Sequence, residues 1–318
     1  MDRQSGSGGW FHPRRLGHVN LYITEYERSL RFYREIAGLG DGWTRPAIGG
    51  GFLNNGATHH DIGFIPWNSP ITRKAASGPG LNHLGFELET EAEMLADYRA
   101  ALAAGVTFHA TVDHLVARSV YSWDPDGFGI EIYVDTEISY KQPDFLSLRR
   151  ATGDWVPGKT PPSTERRYVA DHKPVRYDNA LFHATKVTGV VIVTDRFEAE
   201  WDYYTALVGL RPVFGGRGDA AASLGGSCGG RDVTLLRAGD GLAPGFHHMH
   251  FAVFDEADLA ESVARAAAFG LAIERRVDDP ARTGAFVRDP DGNGVLFYAD
   301  RRPGAPAGRA PREVLWLA

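Results

Sequence analysis

The chain has 318 residues, 43% of them hydrophobic and 23% charged, the profile of a soluble globular protein with room for two ordinary domains. A net charge of -6 argues against nucleic-acid or anionic-membrane partners, and no apolar run approaches the roughly 18 residues needed to cross a bilayer. The single cysteine, Cys228, excludes an internal disulfide and a cysteine metal cluster, and the polar, Gly/Ser-rich residues 1–9 lack the apolar stretch of a signal peptide, so a cytoplasmic protein is expected.

Residues 16–23 (LGHVNLYI) alternate and are apolar or β-branched, which predicts a strand. Residues 26–37 carry Leu30, Tyr33 and Ile36 at helical spacing, with Gly38 as the stop. Short strands follow near 42–46, 50–54 and 59–65. The pattern restarts with a strand at 81–89, a helix over 91–104 ending at Gly105, and strands near 106–111, 117–123 and 128–134. The second half repeats this order: strand 187–194, helix 197–208, strands 211–215, 221–225 and 231–237, then strand 247–254, helix 256–268 and strands 272–277, 283–288 and 294–299. The expected organisation is α+β, with two βαβββ units in residues 15–137 and two more in 186–302, flanked by tails at 1–14 and 303–318. Residues 138–185, rich in Pro, Arg, Lys and Asp, read as a connector long enough that it should pack on one domain.

Direct repetition supports this division. FYREIAGL at 32–39 returns as YYTALVGL at 203–210, Asp124-Pro125-Asp126-Gly127 returns as Asp289-Pro290-Asp291-Gly292, and Tyr133 returns as Tyr298. A period this long is a duplicated domain rather than a solenoid. In this alignment His18, His83 and Glu131 correspond to Gly189, His248 and Leu296. One half keeps two histidines and a carboxylate on its strands, and the copy has lost two of the three.

Two neutral imidazoles and one carboxylate with open positions form the facial set typical of non-haem Fe(II) sites. Alternate side chains of a strand share a face, so ligands on first and last strands can converge. A lone strand histidine is most often satisfied by ordinary hydrogen bonds. Glu131, between Ile130 and Ile132, changes that reading, because a carboxylate on an apolar strand is costly to bury without a cation. His59-His60 precedes the second unit, and strand alternation predicts that one turns in while His59 faces outward. His247, His248 and His250 lack a carboxylate and a first-strand partner, so no second metal site is expected there.

One stretch is more specific. It runs His114, a spacer at 115–119, Val120, Tyr121, Ser122-Trp123, Asp124-Pro125-Asp126-Gly127, residues 128–130 and Glu131. With the His59-His60 pair, it resembles the signature of the type I extradiol catechol dioxygenases of the vicinal-oxygen-chelate superfamily. The resemblance implies tandem vicinal-oxygen-chelate domains, each a curved, partly closed mixed sheet. It implies Fe(II), with Mn(II) as the alternative metal, held by His18, His83 and Glu131. It makes His60 the acid–base residue, with Tyr121 hydrogen-bonding the substrate oxygen and His114 beside it. It implies O₂ and a catecholic substrate as partners, a product of the hydroxymuconic-semialdehyde type, and a homo-oligomer. Trp123 and Phe128 are candidate pocket residues.

This chain departs from many two-domain members, which carry the working site in the second domain. Here the second half has Arg231 at the position of His60 and Phe286 at that of Tyr121, and is expected to be scaffold. The same fold also supports metal-dependent isomerases and lyases that do not use O₂, and a non-catalytic protein that sequesters an aromatic ligand. The complete 2-His-1-Glu set with His60 and Tyr121 favours the dioxygenase, since a binding protein needs neither the base nor the metal.

Overall fold

The two halves build two sheets with the same strand order. In the computed structural model, which describes residues 9–45, 49–69, 77–136, 153–239, 241–301 and 311–317, the first sheet comprises β1 (Arg15–Ile23), β2 (Gly40–Arg45), β3 (Gly50–Asn54), β4 (Ile62–Pro66), β5 (Gly80–Glu87), β6 (Ala110–Asp113), β7 (Ala117–Trp123), β8 (Gly129–Asp135) and a two-residue edge strand β9 (Gly153–Asp154). The second comprises β10 (Ala184–Thr194), β11 (Arg211–Phe214), β12 (Ala221–Gly225), β13 (Val233–Arg237), β14 (Gly245–Val253), β15 (Arg275–Asp278), β16 (Arg282–Arg288) and β17 (Gly294–Asp300). Their orders are β2-β3-β4-β1-β5-β8-β7-β6-β9 and β11-β12-β13-β10-β14-β17-β16-β15. The first strand of each βαβββ unit therefore lies at the centre, and both sheets are mixed: β1 pairs parallel with β4 and antiparallel with β5, and β10 does the same with β13 and β14.

Helices connect the strands as the sequence periodicity predicts, with one shared exception. α2 (Glu91–Ala103) starts at Thr90, whose hydroxyl accepts the Glu93 N–H and donates to the Glu93 carboxylate, a capping box. α4 (Glu256–Arg265) starts at Asp255, capped through Asp258 N–H. The helices expected at 26–37 and 197–208 are each interrupted. α1 (Tyr26–Arg31) and α3 (Phe197–Asp202) run into π-helical turns at Phe32–Ile36 and Tyr203–Val208. Such wide turns are uncommon and tend to mark positions with a special task; here each carries a tyrosine that crosses to the other half.

That crossing is reciprocal. The Tyr33 hydroxyl donates to Asp289 at 2.9 Å, and the Tyr204 hydroxyl donates to Asp124 at 3.1 Å. The aspartates open the two Asp-Pro-Asp-Gly turns. A second reciprocal pair lies beside it. Asp61 accepts backbone N–H groups from Asn55 and Val187, and Asp232 accepts them from Gly226 and Leu16. The repeated motifs thus fasten the halves together, and one continuous hydrophobic core joins them, with Phe182 stacked on Phe297.

Of the connector expected at 138–185, residues 138–152 lie outside the described residues. The rest touches both halves rather than one. Asn55 binds Val175, and Arg176 pairs with Asp258 at 2.7 Å. Beyond β17, α5 (Pro311–Leu317) buries Val314, Leu315 and Leu317 against the second sheet. Among the described residues no helix is long and apolar enough to cross a membrane.

Candidate metal centre

β1, β5 and β8 lie side by side. Their register sets His18, Gly85 and Glu131 in one row, with His83 one step along, between Asn20 and Gly129. The row depends on Gly85 having no side chain. A Cβ there would stand 2.1 Å from the His18 ring, so the imidazole lies across the vacant position and reaches Glu131 two strands away.

The three donor atoms close on one point. Nε2 of His18 is 3.2 Å from Nε2 of His83, and each lies 3.0 Å from Oε2 of Glu131. Donors held about 2.1 Å from one metal at right angles stand roughly 3 Å apart, so this triangle matches one face of an octahedron. The chemistry of the donors agrees. Nδ1 of His83 lies 2.6 Å from the amide oxygen of Asn82, which can only accept, so the ring proton belongs on Nδ1. Nε2 of His83 then presents a lone pair to a carboxylate, an arrangement that a cation resolves. These residues therefore fit a divalent metal, and among the described residues the groups able to hold one all lie in the first half.

Electrostatics sharpen the set. Burial pushes the His18 imidazole down to about 4, leaving a neutral ligand at neutral pH. Burial alone would push Glu131 up, but His18 and His83 outweigh it and hold the carboxyl well below its ordinary range. The other carboxylate oxygen of Glu131 accepts from Ser119 Oγ at 2.5 Å, which fixes the side chain.

The remaining predicted residues surround this triangle. His60 stacks on His18 with centroids 4.0 Å apart, is buried, and has no hydrogen-bond partner at either ring nitrogen. A buried polar group without a partner is rare and calls for an explanation. Burial, then the neighbouring His18, depresses its pKa well below the ordinary value. Tyr121 lies on β7 directly opposite Glu131, and its hydroxyl is 2.8 Å from His114 Nε2. Burial lowers His114 to about 4, and its ring lies 3.7 Å from the second Glu131 oxygen. The next residue, Leu115, has φ of 73°, a strained value for a leucine. Asp113 supports it by accepting the Leu115 N–H at 2.8 Å. That bend aims His114 at Tyr121. Trp123 stacks on His109 at 4.2 Å, partly exposed at the surface.

One expectation is corrected. His59 is buried and does not face outward. Residues 55–61 lie outside any strand, with β4 starting at Ile62, so strand alternation does not apply to the pair. Nδ1 of His59 lies 3.0 Å from Asp135. Burial raises Asp135 to about 8 and lowers His59 to about 4, so the pair is neutral acid and neutral base at pH 7. Gly85, Ser119 and Asn82 were not anticipated. Only Asn82 carries a signal readable in advance, an amide directly before a candidate ligand.

In the second half the same positions are filled differently. Gly189 faces His250, the reverse of His18 facing Gly85, and a Cβ on Gly189 would stand 2.3 Å from the Arg231 carbonyl. Trp316 of α5 stacks on His248 at 5.6 Å and meets Phe286 edge-on, while Leu317 packs with Leu296 and Phe286. The chain's own terminal helix covers the positions equivalent to His83, Tyr121 and Glu131.

Comparisons with known proteins agree with this architecture. A biphenyl-2,3-diol 1,2-dioxygenase from Rhodococcus globerulus is 24% identical over 159 residues, covering 49% of this chain and 83% of that protein. An iron-dependent extradiol dioxygenase from Rhodococcus jostii is 33% identical over 132 residues, 36% of this chain and 41% of that protein, so the chain matches less than half of that relative's length. Among solved structures, homoprotocatechuate 2,3-dioxygenase from Arthrobacter globiformis superposes with a TM-score of 0.65 at 17% identity, covering 95% of this chain and 84% of that one. The 2,3-dioxygenase LapB from Pseudomonas gives 0.64 at 15%, with 95% and 97% covered; likenesses at such identities speak for the fold. The model of the Glyoxalase/Bleomycin resistance protein/Dioxygenase superfamily matches residues 15–132 and 183–297, and the chain belongs to that superfamily.

Proposed function

We propose that the first half is an extradiol dioxygenase centre that uses Fe(II) and O₂ to open a catechol-type ring beside its two hydroxyls. The supporting observation is the triangle of His18, His83 and Glu131 with a partnerless His60 stacked on it. Relatives named extradiol dioxygenases point the same way. In this reading the C–C bond next to the diol breaks, both atoms of O₂ enter the product, and a hydroxymuconic-semialdehyde type of compound leaves.

Fe(II), when bound, supplies the electron path between an aromatic diol and O₂, a role Mn(II) also suits. His18 and His83 would hold it through their Nε2 atoms, and Glu131 would offset one of its charges. His60, neutral at rest, takes up a diol proton at a ring nitrogen and returns it as the ring opens, a task suited to imidazole. Tyr121, held by His114, hydrogen-bonds the substrate oxygen and fixes the ring's orientation. The buried walls around His18 and His60 keep water from the reacting atoms.

Oxygen uptake by anaerobically purified, Fe(II)-loaded protein against a panel of substituted catechols tests this reading. Consumption of one O₂ per catechol with a new yellow absorbance is expected, and the rank order would identify the ring substituent. A metal-loaded protein that consumes no O₂ with any catechol would overturn it in favour of O₂-independent chemistry on a chelated substrate.

A further inference from the structure

At the outer end of its central strands, the first half closes with a set of paired polar groups, although one oxygen each of Glu87 and Asp135 stays without a hydrogen-bond partner. Arg15 pairs with Glu87 at 3.1 Å, His59 with Asp135 at 3.0 Å, and Thr58 with the Tyr133 hydroxyl at 2.9 Å. The second half has the same frame but not the same fillers. Lys186 stands in the place of Arg15, and its cross-strand neighbour is Ala252 where Arg15 faces Glu87. Gly229-Gly230 replaces Thr58-His59, and the positions of His60 and Ala117 hold Arg231 and Arg282. Three space-filling side chains are gone and two cations have been added.

The result is a cavity of about 470 Å³, lined among others by Arg15, Lys186, Arg231, Asp232, Arg282 and Asp300. That size suits a small organic ligand. Its charges do not balance. Arg282 binds Asp300 at 2.7 Å, and Arg231 reaches the same carboxylate at 3.9 Å. Both Asp232 oxygens are already used by backbone N–H groups. Among the described residues Lys186 forms no direct ion pair; burial, then the neighbouring Arg15, lowers its pKa, and the more distant Asp61 and Asp232 carboxylates offset this only in part. Arg282 is itself buried, with its guanidinium 3.6 Å from the centroid of the Tyr298 ring. The cations of the lining (Arg15, Lys186, Arg231 and Arg282) outnumber its carboxylates, Asp232 and Asp300; burying excess cations is costly, and Ala252 stands where the first half has the carboxylate of Glu87.

We propose that this cavity binds a small organic dianion, a phosphate ester or a dicarboxylate, whose oxygens take the place that Glu87 occupies in the first half. Arg231 and Arg282 offer guanidinium donors suited to such oxyanions, and Lys186 supplies the remaining charge. The second half, with Arg15 and Leu16 of the first completing the wall, then forms a ligand site rather than scaffold alone, and this does not depend on the chemistry proposed for the first half.

Titration calorimetry on the full chain tests it, with phenyl phosphate, malonate and inorganic phosphate as probes. Saturable binding of at least one organic dianion is expected, weakened tenfold or more in Lys186→Met. Ala252→Glu restores the carboxylate internally and is expected to abolish binding while the protein stays folded. Tighter binding of phenyl phosphate than malonate identifies a phosphate-ester ligand, and the reverse identifies a dicarboxylate. Binding by inorganic phosphate alone, no binding by any probe, or affinities unchanged in both variants would overturn the proposal; the last would place the anion elsewhere, for instance on the metal of the first half.

Discussion

The two halves of this chain are the same scaffold carrying different contents. Strand order, the π-helical turns, the reciprocal tyrosine–aspartate bonds and the paired Asp61 and Asp232 contacts occur in both. These are the features that packing and docking require. The halves differ where chemistry is at stake. His18 facing Gly85 becomes Gly189 facing His250, so the large ring moves to the neighbouring strand, where its register partner on β17 is Leu296 rather than a carboxylate. Glu131 becomes Leu296, which needs no cation and packs against Leu317. A motif shared by the halves therefore serves the fold, and a motif confined to one half is the one to which the proposed function assigns the reaction. The Asp-Pro-Asp-Gly turn belongs to the first class: Asp124 and Asp289 accept the tyrosine hydroxyls that tie the halves together.

The most severe way to break this comparison is to erase the first half's charge. Glu131→Gln keeps the shape and the contact with Ser119 but removes the anion. Metal bound per chain after dialysis, read by mass spectrometry, is expected to fall to near zero, a greater loss than the roughly 10–100-fold that removing a supporting partner causes. Full metal content in this variant would remove Glu131 from the ligand set. His60→Phe is expected to do the opposite. A phenyl ring keeps the stack on His18, so metal stays while turnover drops by about 10²–10⁴; near-normal turnover would take His60 out of the mechanism.

A milder pair of substitutions exploits the swapped glycine. Gly85→Ala places a Cβ within 2.1 Å of the His18 ring, which must tilt away from Glu131. Metal affinity is expected to fall about 10–100-fold. His250→Ala at the equivalent place in the second half is expected to leave metal content unchanged, since no metal set depends on it. Equal effects from the two would mean that the halves are less independent than their contents indicate.

Much of this was legible in the sequence because duplication supplies its own control. Residues that differ between aligned copies, His18, Glu131, His60 and Tyr121, could be set against the framework they sit in, and all of them converge, together with His83 and His114. Other features were not legible. Gly85 matters through an atom it lacks, and only the three-strand register reveals what would fill the gap. Ser119 acts through a single hydrogen bond of a type that any serine can make. His59 was misread because alternation holds only within a strand, and the pair lies outside any strand. α5 looked like a tail because seven residues carry too little periodicity to announce a helix; its burial comes from a cavity that the second half no longer uses.

The interface between the halves also carries an asymmetry that a small, clean measurement can reach. Glu200 on α3 accepts the Asp126 N–H at 2.7 Å beside Asp124, whereas the equivalent position in the first half is Ser29. Burial, then the nearby Asp124, raises Glu200 to about 9, and burial raises Asp124 to about 7. For an acid whose pKa is raised on folding, the native state favours the protonated form. The stability it contributes is present below the ordinary carboxyl value and is lost as pH climbs through the raised one. The wild-type melting temperature is therefore expected to decline between pH 6 and pH 9. Glu200→Gln keeps an oxygen for the Asp126 N–H and cannot ionise, so its decline should be shallower. At pH 8.5 it is expected to melt a few degrees higher, at about 2–4 °C for each kcal/mol relieved, and at pH 5 the two proteins should melt together. Parallel curves across the whole range would mean that Glu200 titrates alike in the folded and the unfolded chain, and that Ser29 and Glu200 are interchangeable fillers at two ends of one symmetric joint.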